Sequence, residues 1–264
     1  MTESSELTYE VVARNFSEAS ENRIHSDEIA KKYGFRGALV PGVAVYGHLT
    51  HPLVEKFGES WLKSSTDRLR LLKPAYHEDR LLLTLAQDSD GTQAVRCFNQ
   101  DGELLATLDS DIGVPSRAVD DYEAMLGAQF KNPERIEIAW DNVTPGEAFI
   151  PWEVTLTQEL SGTYQSQVAD EQPIYSSCVH PHLLLSLANT ALTNEYIMPT
   201  WIHVGSETRH RQTLRIGDTI TIKSVVVDRW ERKGHQFIKL WVSYWRDGEL
   251  TTDIEHTAIF RVAP

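Results

Sequence analysis

The residues in this 264-residue chain that could move protons near neutral pH are its ten histidines, since imidazole is the side chain that titrates in that range. His25 closes a loop of turn formers, Ser17 to His25, which also carries Glu18, Ser20, Glu21 and Asn22. His48, His51, His77, His180, His182, His210, His235 and His256 show no metal-ligand spacing, and neither Cys97 nor Cys178 adds one. His180 and His182 lie two apart near a helix start, which would not put both on one face. We therefore expect no metal, and a reduced pair of cysteines. In Trp201-Ile-His-Val-Gly-Ser-Glu, strand alternation places Trp201, His203 and Gly205 on one face. A glycine there can admit a ligand close to the backbone; the plainer reading is a half-buried strand with His203 at a domain seam. No glycine-rich phosphate loop and no nucleophile elbow occur.

The elements that must hold these residues follow from periodicity. Ser26-Asp-Glu-Ile-Ala-Lys-Lys-Tyr predicts a short helix capped by Ser26. From 38 to 57, Leu39, Val43, Tyr46, Leu49, Leu53 and Phe57 recur at steps of three and four, which predicts a long helix with a wide buried face. Short β-prone runs then begin at Arg68, Arg80, Ala94 and Leu104, separated by Pro74, Asp90-Gly91 and Asp101-Gly102. A polar, acidic connector fills 114–146. The order then repeats: a strand at Trp152, a largely apolar helix over 179–196, and strands at 201–214, 219–229, 237–245 and 257–262, with turns at Gly217-Asp218, Gly234 and Asp247-Gly248.

The repeat is legible in letters. Gln100-Asp-Gly-Glu-Leu matches Arg246-Asp-Gly-Glu-Leu, and Arg68-Leu-Arg matches Arg209-His-Arg. Val40-Pro41 and His180-Pro181 open the two long helices, and Ala19–His25 aligns with Ala169–Tyr175. Four matches in one order indicate a duplication.

Ala19 to His25, followed by Tyr33-Gly-Phe-Arg-Gly-Ala-Leu-Val-Pro-Gly-Val-Ala-Val-Tyr-Gly47, resembles the MaoC-like, (R)-specific enoyl-CoA hydratase family. Its signature is Gly-Asp-x-Asn-Pro-x-His, a short helix, and a His-Gly pair opening the central helix. The resemblance covers both halves and leaves out the connector. It implies an α+β double hotdog, with domains 1–113 and 147–264 paired as a pseudo-dimer and their sheets joined edge to edge. It further implies hydration or dehydration of (3R)-hydroxyacyl or 2-enoyl thioesters of CoA or an acyl carrier protein, with no cofactor.

The family's Asp and His, five residues apart, activate water, and unpaired N–H groups at a helix start suit the thioester oxygen. In this chain the pair is split. Asn22 and His25 hold the family's Asn and His positions, but the Asp position is Ser20 and the His-Gly pair reads Pro41-Gly42. In the second half Asp170 holds the Asp position, while the His position is Tyr175 and the Asn position Gln172. The resemblance makes His25 the acid/base, Asn22 its orienter and the N–H groups near Gly42 the oxyanion donors. The acyl chain would pass Pro41, Tyr46, Trp201 and His203. Glu18 or Glu21 is expected to supply the missing carboxylate, Glu21 being carried as the catalytic one. Asp170 and Tyr175 are expected to form a vestigial loop, with Asp170 an Asx-type cap. Five residues separate Tyr175 from Pro181 and fifteen separate His25 from Pro41, so the second half lacks the short helix. Two other readings stand beside this one: a non-catalytic acyl-thioester-binding homologue, and a hotdog thioesterase.

Acids outnumber bases 38 to 25, for a net charge of −13, which argues against nucleic acid as a partner. No run approaches the ~20 apolar residues of a membrane span, and the N-terminus lacks a secretory signal pattern. A cytoplasmic protein is expected, as a monomer or a homo-oligomer.

Overall fold

The computed structural model describes residues 7–113, 120–123, 126 and 134–263. Much of the predicted connector, including Pro115 and Pro133, lies outside the described residues. In chain order, β1 (Leu7–Val12) leads through a 3₁₀ turn (Arg23–His25) to α1 (Asp27–Lys32), α2 (Gly42–Phe57) and α3 (Glu59–Lys63). Then come β2 (Ser65–Leu71), β3 (Arg80–Gln87), β4 (Gln93–Phe98) and β5 (Leu104–Ile112). A short α4 (Asp120–Glu123) and β6 (Ile136–Glu137) precede the second half. That half comprises β7 (Trp152–Thr155), α5 (Gln158–Gln167), α6 (Pro181–Glu195) and β8 (Tyr196–Ile197). It closes with β9 (Ile202–His210), β10 (Thr219–Arg232), β11 (His235–Arg246) and β12 (Glu249–Arg261).

Ten strands form one antiparallel sheet in the order β1-β3-β4-β5-β2-β9-β12-β11-β10-β7. Read outward from the β2–β9 junction, the two wings have the same connectivity. The letter match that equates Arg68 with Arg209 also equates Asp67 with Thr208, and these two face each other across the junction. A pair that is equivalent in the repeat and also in register marks a twofold axis. The predicted pairing of two helix-and-sheet domains edge to edge is what the chain adopts.

The sheet wraps α2 and α6. Leu49, Leu53, Leu183, Ala188 and Leu192 of these helices are fully buried, in one core shared by both wings. The helices touch at Gly47, where an added Cβ would lie 2.9 Å from the His182 Cβ. The first long helix starts at Gly42 and not at 38. Pro41 disfavours helical geometry for Val40, and Leu39 is already bridged to Tyr76. Helix α5 has no counterpart in the periodicity reading; Thr157 caps it by accepting the Leu160 N–H at 3.1 Å, and only Ser161 within it is buried.

Gly205 has a structural use that differs from the one anticipated. Its close neighbour is protein backbone: a Cβ added there would meet the Leu69 carbonyl oxygen of β2 at 2.7 Å. Because that contact is with backbone, Gly205→Ala should lower stability by about 1–3 kcal/mol, the usual cost of overpacking. Urea denaturation of the variant checks this; a parental midpoint would mean that the junction has slack.

Candidate active site

The loop carrying Asn22 and His25 is bonded to the chain entering β9 from the other half. Arg23 N–H donates to the Pro199 carbonyl at 2.8 Å. Asn22 Nδ2 donates to the Trp201 carbonyl at 2.9 Å, and Asn22 Oδ1 accepts the Trp201 N–H at 3.1 Å. Asn22 Oδ1 also accepts the Ile24 N–H at 3.4 Å, capping the 3₁₀ turn. The second amide hydrogen of Asn22 is left facing His25 Nε2, 3.4 Å away.

On the other side of the ring, Nδ1 lies 2.8 Å from the Leu39 carbonyl oxygen. A carbonyl only accepts, so Nδ1 carries the proton and Nε2 presents a lone pair. The orientation that a carboxylate could have imposed is here imposed by a backbone carbonyl and an amide. Burial pulls the His25 pKa below its ordinary value of 6.5, and the Leu39 carbonyl opposes the shift. The ring is therefore a neutral base at pH 7.

His25 sits where two cavities meet. The first, of about 190 Å³, is mainly apolar and is walled by Ile24, Phe35, Leu39, Val45, Leu71 and Ile202. The second, of about 410 Å³, is the more polar of the two and runs along α6 past Ser186, Asn189, Thr190, Thr193 and Asn194, with Arg135 also on its wall. Asn22, His25, Pro41, Asn189 and Trp201 line both. Three buried polar atoms on these walls have no hydrogen-bond partner among the described residues: Asn189 Oδ1, Trp201 Nε1 and His203 Nδ1. Unpaired buried polar atoms are uncommon and need a reason.

The anticipated residues divide cleanly. Asn22, His25, Pro41, Gly42, Trp201 and His203 come together around the first cavity. Tyr46 is buried in the core at 1% exposure and lines neither cavity. Glu18 is exposed, and Glu21 is turned away from His25: its carboxylate pairs with Arg135 at 2.8 Å and accepts the Met198 N–H at 3.4 Å. Ser20, at the family's aspartate position, donates to the Asn22 carbonyl at 3.2 Å. In the second half Asp170 makes the Asx-type bond, accepting the Gln172 N–H at 3.2 Å. It also meets His51 Nδ1 at 3.1 Å and His180 Nε2 at 3.3 Å. Tyr175 is fully buried against the His180 ring. Neither Asp170 nor Tyr175 lines the two cavities.

No family model and no curated protein matches the sequence. Solved structures do match along nearly its whole length. A protein from Chloroflexus aurantiacus J-10-fl, described as a MaoC domain dehydratase, aligns with a TM-score of 0.69 at 14% identity over 99% of this chain and 96% of that one. A conserved hypothetical protein of Mycobacterium tuberculosis with a double hotdog fold aligns at 0.61 and 12%, over 96% and 95%. The fold is a double hotdog. The same fold relates the chain to an oleoyl thioesterase of Lactobacillus plantarum, at 0.57 and 8% identity over 100% and 98%. The architecture is thus shared by dehydratases and thioesterases alike, and the residues inside must distinguish them.

Two features of this double hotdog escaped the sequence reading. The polar stripe on α6 follows the same three-and-four spacing as an apolar face, but in Ser, Asn and Thr; that spacing was the available signal. The other is a buried chain behind His203, in which His203 Nε2 lies 2.9 Å from Ser206 Oγ, itself 3.0 Å from His256 Nδ1. The three residues come from two strands, β9 and β12, and no local motif announces them.

Burial holds several histidines neutral in the folded double hotdog. It pulls His48 down to about 4 and His182 and His203 to about 3, and it lowers His180 and His256 as well. The unfolded chain takes up these protons below the ordinary value near 6.5, so it binds more protons than the folded state and stability must rise with pH there. The urea midpoint should therefore fall steadily between pH 7.5 and pH 5. A midpoint equal or higher at pH 5 would contradict the burial of these rings.

Proposed function

We propose that the chain hydrates or dehydrates a (3R)-hydroxyacyl or 2-enoyl thioester carried on CoA or an acyl carrier protein. One observation carries the reading: a neutral histidine, its tautomer fixed by the Leu39 carbonyl, stands at the meeting of an apolar and a polar cavity. Beside it begins α2, whose first N–H groups have no acceptor inside the helix. The acyl chain would occupy the apolar cavity and the carrier's arm the polar one along α6.

In the dehydration direction, His25 Nε2 takes the proton from the carbon next to the thioester. Charge moves onto the thioester oxygen, beside the Gly42 N–H at the positive end of the helix dipole. The carbon–oxygen bond at the β-carbon then breaks, and the hydroxide leaves with the proton held on Nε2. One residue thus serves as base and then as acid, the products are the enoyl thioester and water, and no cofactor is invoked. Asn22 withdraws from its long contact with Nε2 but stays anchored on Trp201.

A non-catalytic thioester binder is the second reading. It is favoured by the absence of a carboxylate at His25 among the described residues, since Ser20 replaces one and Glu21 is engaged elsewhere. A spectrophotometric hydratase assay over crotonyl, branched and long-chain enoyl thioesters separates the two. His25→Ala should lower turnover by ~10²–10⁴-fold, the range for losing a general acid/base. The pH dependence follows from the sign of the shift: the base is lost only when protonated, and its pKa lies below 6.5. Activity should hold from pH 8 to neutrality and fall in acid with an apparent pKa below 6.5, not above it. No turnover of any of these thioesters by the parent protein would favour the binder.

A further inference from the structure

We propose that His203 supplies a second oxyanion donor, its Nδ1–H binding the thioester oxygen alongside the Gly42 N–H. This rests on the thioester reading above and adds to it a residue from the other half of the chain. His203 is 6% exposed and lines the apolar cavity, and its Nδ1 has no partner. A Cβ added at Gly42 would stand 2.3 Å from Leu71 Cδ1 and 3.0 Å from that nitrogen. The ring atom thus lies close beside the glycine that starts α2, with the Leu71 methyl packed next to it, so an oxygen accepting the Gly42 N–H is near both groups.

The hydrogen-bond chain behind the ring decides whether Nδ1 donates or accepts. Ser206 Oγ lies between His203 Nε2 and His256 Nδ1 and has one hydrogen to give. Either Ser206 donates to His203, leaving the proton on His203 Nδ1, or it donates to His256, leaving a proton on His256 Nε2. His256 is fully buried and its Nε2 has no partner. In the empty cavity each arrangement leaves one buried N–H without an acceptor among the described residues, at His203 Nδ1 or at His256 Nε2, and an unmet donor is the costlier defect. A thioester oxygen beside Nδ1 supplies that acceptor in the first arrangement and leaves the defect in place in the second. With the oxygen bound, Ser206 therefore accepts from His256 and donates to His203, and Nδ1–H faces the ligand. Burial keeps both rings neutral, His203 at about 3 against a smaller upward pull from the Gly205 backbone. A neutral donor in a dry wall stabilises developing negative charge without itself losing a proton.

The test uses 2,4-hexadienoyl-pantetheine, which carries the arm common to CoA and acyl carrier proteins, with His25→Ala as background to prevent turnover. Hydrogen bonds that polarise the thioester carbonyl shift the dienoyl absorption to longer wavelength. We expect a red shift on binding. It should be lost or largely reduced in His203→Leu and retained in His203→Asn, whose amide nitrogen can occupy the place of Nδ1. Ser206→Ala, which leaves the ring in place and frees its tautomer, should reduce the shift. With His25 intact, His203→Leu should lower kcat by ~10²–10³-fold, as for loss of one oxyanion donor, with KM nearly unchanged. An unaltered red shift in both His203→Leu and Ser206→Ala overturns the assignment while leaving the thioester reading in place. Failure of the His25→Ala protein to bind the probe removes that reading, and His203's role with it.

Discussion

Six residue pairs, from Ser65–His210 to Arg70–Gly205, join β2 to β9. Without that pairing each wing would end in an unpaired strand edge, a row of open donors and acceptors that invites association. Gly205 lets the two backbones close where any side chain would strike Leu69. Next to it Arg209, 1% exposed, is paired with Asp253 at 2.8 Å and Glu255 at 2.9 Å. Buried ion pairs are weak evidence of net stabilisation, but one of this geometry penalises any other register of β9 on β12. Slipping β9 by one residue would send Arg209 to the opposite face and take that partner from Asp253 and Glu255.

The candidate site inherits its geometry from this junction. Trp201 and His203 reach the His25 loop only because β9 lies beside β2, and Asn22 fixes the approach by bonding both main-chain groups of Trp201. Base and loop come from one half, and the aromatic wall and the His203–Ser206–His256 chain from the other. Neither half encloses the cavity alone. A duplicated fold can build in this way a pocket with one kind of residue on each side, which a symmetric dimer of identical chains could do only in two copies at once.

How much of this was legible depended on whether a partner has a sequence letter. Both long helices, the β-prone runs of each wing and the duplication follow from periodicity and repetition, because burial enforces spacing. The strand order and the axis at Asp67 and Thr208 are visible only in the sheet itself. His25 and its orienter Asn22 were recoverable from a motif, and Trp201 from strand alternation. The acceptor of the His25 Nδ1 proton was not: Glu18 and Glu21 are the nearby carboxylates with a sequence letter, whereas that acceptor is the backbone carbonyl of Leu39. The same carbonyl explains why the predicted helix start at 38 came four residues early. Residues 38–40 are apolar enough to continue α2, yet Pro41 and the bridge to Tyr76 hold them extended. The proximity of His256 to His203 is set by sheet register, which no local pattern encodes.

The second half shows what the first would become without α1. Fifteen residues separate His25 from Pro41 and five separate Tyr175 from Pro181, so the chain turns at once from its 3₁₀ turn into α6. Cys178 is bridged to Arg215 across the gap, and Tyr175 is buried against the His180 ring. His180, the cap of α6, accepts the His182 N–H at 3.1 Å through Nδ1, so its Nε2 carries the proton and donates to Asp170. With His180 on one oxygen and His51 and Gln172 on the other, Asp170 lies well below the usual carboxylate range. A carboxylate so engaged is a fixed negative charge that organises a loop and is a poor base, because every proton it could take would first have to displace a hydrogen bond. The residue at the family's aspartate position is thus retained in the half whose loop is tied up in internal hydrogen bonds. The half whose loop lines the two cavities holds its histidine by other means.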